Sequence, residues 1–341
     1  MSDPTPLPCG TEITRDTTLE ADLVCGRDPG LVIVADGLTL DLGGHTLSGD
    51  PDLGNAGPGI LLRGVSGVTV RNGTVQHFGA GVVVDGGSAN LVENLTVQDN
   101  IGHPDGDFGD GIVVTNSREN CVQANVVQRN GPFSGIALGP EAQGNEISDN
   151  TVTDNNMIHP GRPGAGGQTM GIRIEGPAAN HNRILGNAVT GSGADGIVVL
   201  STCDDPDSEP PCVGAPPNEH NEIVGNTANG NGRSGRGSGI RIFAMPLPVP
   251  PVGNSIRENV ADDNAWYGIA IDAAARGSAG NEAVRNRAHG NGEFDGSDGA
   301  LMPPCGANVW DGNDFGSVNQ PCVARITATP PGEASSAQPL G

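Results

Sequence analysis

The chain has 341 residues, with 55 glycines, 27 prolines, only 3% aromatic residues and a formal net charge of −23. The chain contains no lysine, and its 17 basic side chains are all arginines. So acidic a chain argues against DNA or RNA as a partner, because nucleic acids are bound through cationic contacts to phosphate. No run of 18 apolar residues occurs, so we expect no membrane span, and the acidic surface predicts a monomer. Short apolar runs between Gly, Asn and Asp turns indicate an all-β repeat protein.

Residues 1–29 predict an N-terminal cap, since a stacked core would otherwise expose an unpaired strand edge. No apolar signal segment is visible in residues 1–8. Six of the seven cysteines form local pairs, at both ends and in one proline-rich loop, and we expect three disulfides, which are typical of an oxidising compartment. We therefore expect a secreted or cell-surface protein whose signal has been removed, with a cytoplasmic location as the alternative. The three expected disulfides are Cys9/Cys25, Cys203/Cys212 and Cys305/Cys322.

Residues 30–322 predict a coil in which each turn opens with glycine and a short apolar strand. In the strand after Gly111, Ile112 and Val114 should face inward and Val113 outward, because alternate strand residues point to opposite faces. The opening glycines are Gly30, Gly59, Gly81, Gly111, Gly135, Gly171, Gly196, Gly239, Gly268 and, less clearly, Gly299.

Asparagines recur five residues apart after most of these strands. Stacked Asn side chains can bond to one another along a pile of strands, and Asn tolerates the left-handed backbone of tight turns, so we interpret them as a structural ladder. His77 is expected at the third ladder position of its turn. Residues 323–341 are rich in Pro, Ser and Ala and predict a disordered tail. The groups of ladder residues at five-residue intervals, here called frames, are Asn120/Asn125/Asn130, Asn145/Asn150/Asn155, Asn182/Asn187/Ser192, Asn221/Asn226/Asn231, Asn254/Asn259/Asn264 and Asn281/Asn286/Asn291.

These Gly-Ile-x-Val strands and Asn-x-Ile frames resemble the right-handed parallel β-helix family, which includes pectate lyases, polygalacturonases and alginate epimerases. The resemblance covers about residues 9–322 and is specific for fold. It implies an all-β fold, a single-stranded right-handed parallel β-helix of about ten turns with disulfide-stapled ends. It also implies carbohydrate-active chemistry, although many activities share this coil.

Two long connections interrupt the ladder, and the first spans residues 101–110. Within it lie His103, Asp105, Asp107 and Asp110, and hard carboxylate oxygens are the ligands that Ca²⁺ prefers. The three aspartates are therefore predicted metal ligands, with His103 as a catalytic base. A carboxylate pair for acid/base hydrolysis and a merely solvated acidic turn are the alternatives.

The second long connection spans residues 156–170. His159 and Arg162 predict a proton shuttle and an anion clamp, and Gln168 a substrate contact. The two connections should flank Phe133 two turns apart, about 10 Å, which predicts a cleft. A solvated loop is the alternative interpretation.

The other candidates lie on the strands and corners beside this cleft. Arg173 and His77 are predicted catalytic residues, with Arg173 binding a substrate carboxylate. Phe133, Asp195, Trp266 and Tyr267 are predicted substrate-binding residues, the aromatic rings by stacking on sugars. Local packing and surface ion pairing are the alternatives for each.

The combined pattern favours a lyase or epimerase acting on an acidic, uronate-containing polysaccharide. Ca²⁺ or Arg would neutralise the uronate carboxylate, and a base would remove the adjacent carbon-bound proton. No other cofactor is expected. The alternatives are a non-catalytic glycan-binding or structural rod, and a cyclase or isomerase acting on a small molecule.

Overall fold

The computed structural model describes residues 7–51, 57–102, 109–157, 169–201, 216–244, 250–272, 280–300 and 303–324. Within these ranges the secondary structure consists of short strands and turns, and all strand pairing is parallel. The same ranges contain no helix that is long and apolar enough to cross a membrane. The all-β fold predicted from the sequence is thus confirmed.

Eleven strands, one from each successive turn, form one continuous sheet, here called sheet 1. Because each strand pairs with its equivalent in the next turn, the chain winds as a coil. Sheet 1 consists of Glu12–Ile13, Leu31–Ile33, Pro58–Arg63, Ala80–Asp85, Ile112–Thr115, Ser134–Leu138, Met170–Glu175, Ile197–Ser201, Ile240–Ala244, Tyr267–Ile271 and Phe294–Asp298.

Two further stacks of strands, sheets 2 and 3, form the other sides of the coil. The strands Thr69–Gln76 and Leu91–Gln98 run through both. Sheet 2 also contains Thr17–Thr18, Thr39–Asp41, Cys121–Gln123, Glu146–Ser148, Arg183–Leu185, Glu222–Val224, Ser255–Arg257, Glu282–Val284 and Val309–Asp311. Sheet 3 also contains Leu23–Gly26, Thr46–Gly49, Val126–Gln128, Thr151–Thr153, Ala188–Thr190, Thr227–Asn229, Arg287–Ala288 and Asp314–Phe315.

The core is a stack of β-branched and leucine side chains inside the coil. Ile112 and Val114 are fully buried while Val113 is partly exposed, as the alternation predicted. The inward residues keep register from turn to turn, as in the pairing of Ile112 with Ile136 and of Ile136 with Ile172. Burying each such side chain contributes about 1.5–3 kcal/mol, so the repeated core residues provide most of the favourable burial.

The asparagine ladder is confirmed, and it continues through most of the coil. Asn150 illustrates the bonding: its Nδ2 donates to Asn187 Oδ1 at 2.9 Å and to Val122 O at 2.9 Å. Its Oδ1 accepts from the backbone N of Asn125 at 3.0 Å. Every ladder amide thus satisfies backbone groups at the corners that strand pairing leaves free.

The left-handed conformation belongs to the residue before each ladder asparagine, which corrects the prediction that Asn itself adopts it. Asp99, Asp149 and Asp154 all have φ of 53–54°, and each precedes a ladder Asn. His77 has φ 61° and is therefore also a preceding residue. Phe78 occupies the ladder position, since its N–H donates to Asn100 Oδ1 at 3.1 Å. The predicted ladder position of His77 is therefore wrong by one residue, because the buried, apolar Phe78 fills that position.

The last strand of sheet 1 also departs from the sequence prediction. Ile269 pairs with Gly296, and the strand ends at Asp298, so Gly299 does not open it. Asp298 is fully buried and accepts hydrogen bonds from Trp310 Nε1 at 2.8 Å and Asn308 Nδ2 at 3.1 Å. In the last strand of sheet 1, this buried aspartate and its polar partners therefore stand where earlier turns have an aliphatic core side chain.

Two of the predicted disulfides are present, Cys9–Cys25 and Cys305–Cys322, and Cys203/Cys212 lies outside the described residues. Glu12–Ile13 already pairs with Leu31–Ile33, so the first turn of the coil lies within the segment predicted as a cap. The boundaries 1–29, 30–322 and 323–341 otherwise remain predictions. Disulfides near both ends are typical of proteins from an oxidising compartment.

Candidate functional site

Two arginines stand on the outward face of sheet 1 in the same register position. Arg173 pairs with Val198, and Val198 pairs with Arg241 in the next strand. Two strand spacings separate the arginines, which corresponds to about 10 Å. Both arise from the sequence Gly-Ile-Arg-Ile, in which the isoleucines point into the core and the arginine must point outward.

Arg173 lies at the centre of the first cluster. Its Nη2 is 3.5 Å from Asp110 Oδ1, and its Nη1 forms an ion pair with Glu175. Its guanidinium carbon lies 5.6 Å from the centre of the Phe133 ring, within reach of a cation–π interaction. Asp110 lies two residues before the strand Ile112–Thr115, two strands before Arg173 in sheet 1, and the two side chains meet across the intervening strand Ser134–Leu138.

Burial controls the charge of this first cluster. The side chain of Arg173 is 14% exposed and that of Asp110 only 7%. Burial raises the pKa of Asp110, although the nearby Arg173 opposes the rise. Within the described ranges, Arg173 Nε is buried without a hydrogen-bond partner. A buried donor of this kind is costly unless a water or ligand oxygen satisfies it.

Both long connections re-enter sheet 1 beside this cluster. The first ends at Asp110, and the second ends at Met170, which pairs with Ser134 directly after Phe133. At their other ends, Ile101 forms a bridge with Gly131, and Met157 N donates to Asn130 O at 3.3 Å. The prediction that the two connections flank Phe133 therefore holds for those ends of the connections that the structure describes.

Arg241 lies at the centre of the second cluster. Its Nη2 and Nε lie 2.6 and 2.7 Å from Asp272 Oδ2, and its Nη1 lies 3.6 Å from Asp195 Oδ2. The guanidinium carbon is 4.0 Å from the Phe243 ring centre and 4.8 Å from the Trp266 ring centre. Arg241 is thus held by two carboxylates and two aromatic rings.

Trp266 connects this second cluster to further charged groups. Arg236 lies 5.2 Å from its ring centre, Tyr267 stacks against it at 4.2 Å, and its Nε1 donates to Glu293. Burial raises the pKa of Tyr267, and Glu293 adds to the effect. The aromatic surface is therefore bordered by charges of both signs.

Asp195 repeats the role of Asp110 in this second cluster. It accepts the backbone N–H of Ser238 at 2.6 Å, and burial raises its pKa against the attraction of Arg241. Asp110 and Asp195 lie three strand spacings apart, about 14 Å. That separation exceeds the roughly 6.5–9.5 Å between the carboxyl groups of inverting glycosidases, so these two do not form a hydrolytic pair.

The surface of sheet 1 between Arg173 and Arg241 consists of buried apolar side chains. Met170, Val198 and Leu200 are all buried although they lie outside the main core, and Phe243 packs against them. A ligand approaching Arg173 from this direction would meet aliphatic groups rather than open solvent.

The structure brings the predicted residues into two groups rather than one groove. Asp110, Phe133 and Arg173 form the first group, and Asp195, Trp266 and Tyr267 join the second. His77 joins neither: its Nδ1 lies 3.1 Å from Ser48 Oγ, and three strand spacings separate its turn from that of Arg173. The predicted residues His103, Asp105, Asp107, His159, Arg162 and Gln168 lie outside the described residues, and their roles stay predictions.

Arg241, Phe243 and Asp272 were not among the predicted site residues, and Asp110 and Asp195 were predicted for different roles. A repeated motif could have linked the aspartates: Asp-Gly-Ile-Val-Val occurs at residues 110–114 and again at 195–199. Each copy places an aspartate directly before a sheet 1 strand, and a Gly-Ile-Arg-Ile strand follows within two turns.

The described part of the chain contains no group of three or more His, Cys, Asp or Glu side chains arranged to hold a metal ion. Asp110 itself does not fit a calcium ligand, because it is buried, faces a guanidinium group and has a raised pKa. Ca²⁺ prefers several ionised or carbonyl oxygens around one point.

Comparison with known proteins extends this description. The family described as "Periplasmic copper-binding protein (NosD)" matches residues 44–207, a little under half of the chain. No curated protein sequence matches significantly.

Solved structures with a similar fold include carbohydrate-active enzymes. A double mutant of the periplasmic alginate epimerase AlgG is 13% identical, with a TM-score of 0.58 over 88% of this chain and 69% of that one. Pectate lyase Pel9A is 13% identical, with a TM-score of 0.56 over 93% and 80%. Endo-xylogalacturonan hydrolase from Aspergillus tubingensis is 12% identical, with a TM-score of 0.53 over 92% and 81%.

Identities this low establish a shared architecture and no shared activity. The parallel pairing, the three-sided coil, the stacked core and these structural neighbours agree with one another. The chain is a right-handed parallel β-helix protein.

Proposed function

We propose that this protein binds an acidic, uronate-containing glycan at the Arg173 cluster and acts on it as a lyase or epimerase. The observation that carries the proposal is the position of Arg173, beside the Phe133 ring and next to the re-entry points of both long connections. The similar folds of an alginate epimerase and a pectate lyase support the substrate class.

The proposed chemistry begins with the substrate carboxylate. Arg173 would neutralise it, which lowers the pKa of the adjacent carbon-bound proton. A base carried by one of the two long connections, His103 or His159, would then remove that proton. In the lyase reaction the electrons of the broken C–H bond form a C=C bond, the neighbouring glycosidic C–O bond breaks, and the leaving oxygen takes up a proton. In the epimerase reaction a proton returns to the same carbon from the opposite face.

Asp110 acts in this proposal through Arg173 rather than on the substrate. A raised pKa lets Asp110 take up a proton when a second anion approaches the guanidinium group. The cluster can then accept a substrate carboxylate without holding three negative charges around one cation, an arrangement that burial would penalise.

A calcium site formed by Asp105 and Asp107 stays a proposal, and Arg173 supplies the neutralising charge in its absence. A secreted or cell-surface location is proposed on the basis of the two disulfides and of the periplasmic description of the matching family. An oxidising compartment is where such disulfides persist.

The test is a screen of alginate, pectate and other uronans with and without Ca²⁺ or a chelator. Absorbance of the unsaturated product reports lyase activity, and NMR of the C5 proton reports inversion. We expect turnover of one uronan and its loss in Arg173→Ala. The absence of turnover on every uronan, with unchanged glycan binding in Arg173→Ala, would overturn the proposal.

The second candidate is a non-catalytic glycan-binding rod. It is favoured by the ion pairs that both arginines already form. Arg173 faces Asp110 and Glu175, and Arg241 faces Asp195 and Asp272. Under this reading the clusters are structural ion pairs. Binding of an oligouronate without conversion, and without a change in Arg173→Ala, is its distinguishing result.

A further inference from the structure

A separate polar pocket lies at the corner where sheet 1 strands end, on the opposite edge from the two long connections. Its volume is about 380 Å³, which falls within the usual range of about 300–1,000 Å³ for small-molecule sites. It is lined by Ser66, Gly87, Ser88, Asn116, Ser117, Arg118, Glu141 and Gln143.

Regular stacking of four consecutive turns builds this pocket. Ser88 bridges to Arg118, and Arg118 bridges to Gln143, so their backbones are held in parallel register. Ser66 Oγ lies 3.3 Å from Ser88 Oγ. A Cβ on Gly87 would lie 1.9 Å from Val65 O, so the chain requires glycine here and the wall remains bare backbone.

The two charged side chains that line the pocket, Arg118 and Glu141, take no part in the ion pairs of the described residues. No carboxylate in the described part of the chain lies within ion-pair distance of Arg118, although most of the other arginines described here have such a partner. Glu141 likewise has no ion pair among the described residues. Both side chains line the same pocket and are exposed.

We propose that this pocket is a binding subsite for one carboxylated sugar residue, with Arg118 holding the carboxylate. An arginine can bind a carboxylate through two parallel N–H···O bonds. The hydroxyls of Ser66 and Ser88 and the amides of Asn116 and Gln143 both donate and accept, as sugar hydroxyls do. Glu141 accepts from a sugar hydroxyl.

The lining also excludes other ligand classes. It contains no aromatic or large aliphatic side chain, so an apolar ligand would gain little from burial there. A neutral sugar would leave Arg118 without a counter-charge. The combination of one cation with several hydroxyl and amide groups fits an acidic sugar best.

Two strands of sheet 1 connect the pocket with Asp110 and Phe133, the two residues of the Arg173 cluster that lie at the beginnings of strands. Asp110 precedes Ile112–Thr115 and Asn116 follows it; Phe133 precedes Ser134–Leu138 and Glu141 lies beyond it. A strand of five residues spans about 17 Å, so one acidic oligosaccharide crossing the sheet would reach both. This inference rests on the proposed function and assigns the glycan a second contact.

The experiment measures binding of a defined oligouronate to the full chain by calorimetry and by shifts of backbone amide NMR signals. We expect Arg118→Ala to weaken binding about tenfold or more, because it removes a charge-assisted hydrogen bond. Arg118→Lys should retain part of the affinity. Signals of Ser88, Asn116 and Arg118 should shift on titration of the wild-type protein.

Arg15→Ala is the matched control, since Arg15 is exposed in the first turn and its loss removes the same charge far from the pocket. Equal affinity of wild type and Arg118→Ala, or an equal loss in Arg15→Ala, overturns the subsite. So does equally tight binding of the same oligosaccharide with its carboxyl groups reduced to alcohols.

The two proposals fail in different ways. If Arg173→Ala loses binding and Arg118→Ala does not, the pocket inference alone is wrong. If Arg118→Ala weakens binding but no uronan is converted, the catalytic proposal alone is wrong. If the wild-type protein binds no oligouronate, both are overturned.

Discussion

Asp110 and Arg173 face each other across two strands of sheet 1, with Nη2 and Oδ1 3.5 Å apart and both side chains nearly enclosed. They are 63 residues apart in the chain, and the strand Ser134–Leu138 lies between their turns in sheet 1. A buried ion pair of this kind is sensitive to the removal of one partner and tolerant of the removal of both charges.

Removing the cation should therefore destabilise the fold. We expect Arg173→Ala to lower the free energy of unfolding by about 3–5 kcal/mol at pH 8, because Asp110 is then buried without a counter-charge. Adding Asp110→Asn should restore part of that loss. Urea unfolding of both single variants and of the double variant measures the coupling. Additive effects of the two substitutions would contradict the ion pair.

Asp110 should also make stability depend on pH. Its folded-state pKa is raised, so the native state holds a proton that the unfolded state releases first. Stability from this group is present below the ordinary carboxyl pKa near 3.8 and is lost as pH rises through the folded-state value. Asp110→Asn cannot ionise at this position, so its stability relative to wild type should rise steadily as pH increases from 4 to 8, whatever constant cost the loss of the ion pair adds.

The contrasting variant for this pH dependence is Asp41→Asn, because the backbone N–H of Gly43 and the side chain of Arg71 hydrogen-bond to Asp41 and lower its pKa, so the trend with pH should be opposite. Asp195→Asn should behave like Asp110→Asn, because burial raises the pKa of Asp195 as well. An Asn there keeps the acceptor for Ser238 N–H. A difference between Asp110→Asn and wild type that does not change with pH would contradict the raised pKa.

The ladder should be far more sensitive than the strands beside it. Asn150→Ala removes the partners of Asn125, Asn187 and Val122, leaving buried polar groups unsatisfied. At about 1–3 kcal/mol for each such group, we expect a loss of about 3 kcal/mol or more. Thr151→Ala, on the adjacent exposed position, should change stability by no more than about 0.5 kcal/mol. Equal effects in chemical denaturation would argue against the ladder.

Trp266 should report a ligand at the Arg241 cluster. The chain has two tryptophans, and Trp310 is buried and bonded to Asp298, whereas Trp266 lies between Arg236 and Arg241. An anionic oligosaccharide that engages these arginines should change the fluorescence of the wild type and of Trp310→Phe. The signal should disappear in Trp266→Phe. A response that survives in Trp266→Phe would place the ligand elsewhere.

The disulfide at the C-terminal end should contribute measurably to stability. It closes a loop with a sequence separation of 17 residues, and loop-closure entropy predicts about 3 kcal/mol for a loop of this size. Replacing Cys305 and Cys322 together by alanine should lower the unfolding free energy by about that amount. Substitution of Cys121, which is free, should not remove the sensitivity of the fold to reducing agents.

Much of the architecture was readable from the sequence because the coil repeats a local rule. Inward Ile and Val at alternate strand positions and asparagines at five-residue intervals state, turn by turn, which side chains must stack. The two end disulfides followed from cysteine placement near the termini. Errors arose where the repeat is broken by a single residue: Phe78 rather than His77 fills a ladder position, and Gly296 rather than Gly299 continues sheet 1.

The composition of the candidate site was decided by tertiary structure. Arg173 was recognisable as outward-facing from its strand, but its contact with Asp110 depends on which turn stacks on which. The loops between turns vary in length, so distance along the chain does not reveal neighbours across it. The sequence by itself determined a stacked parallel coil, since hydrophobic alternation and amide ladders are local. Only the three-dimensional stacking decided which charges meet, because burial and Coulomb attraction act between turns.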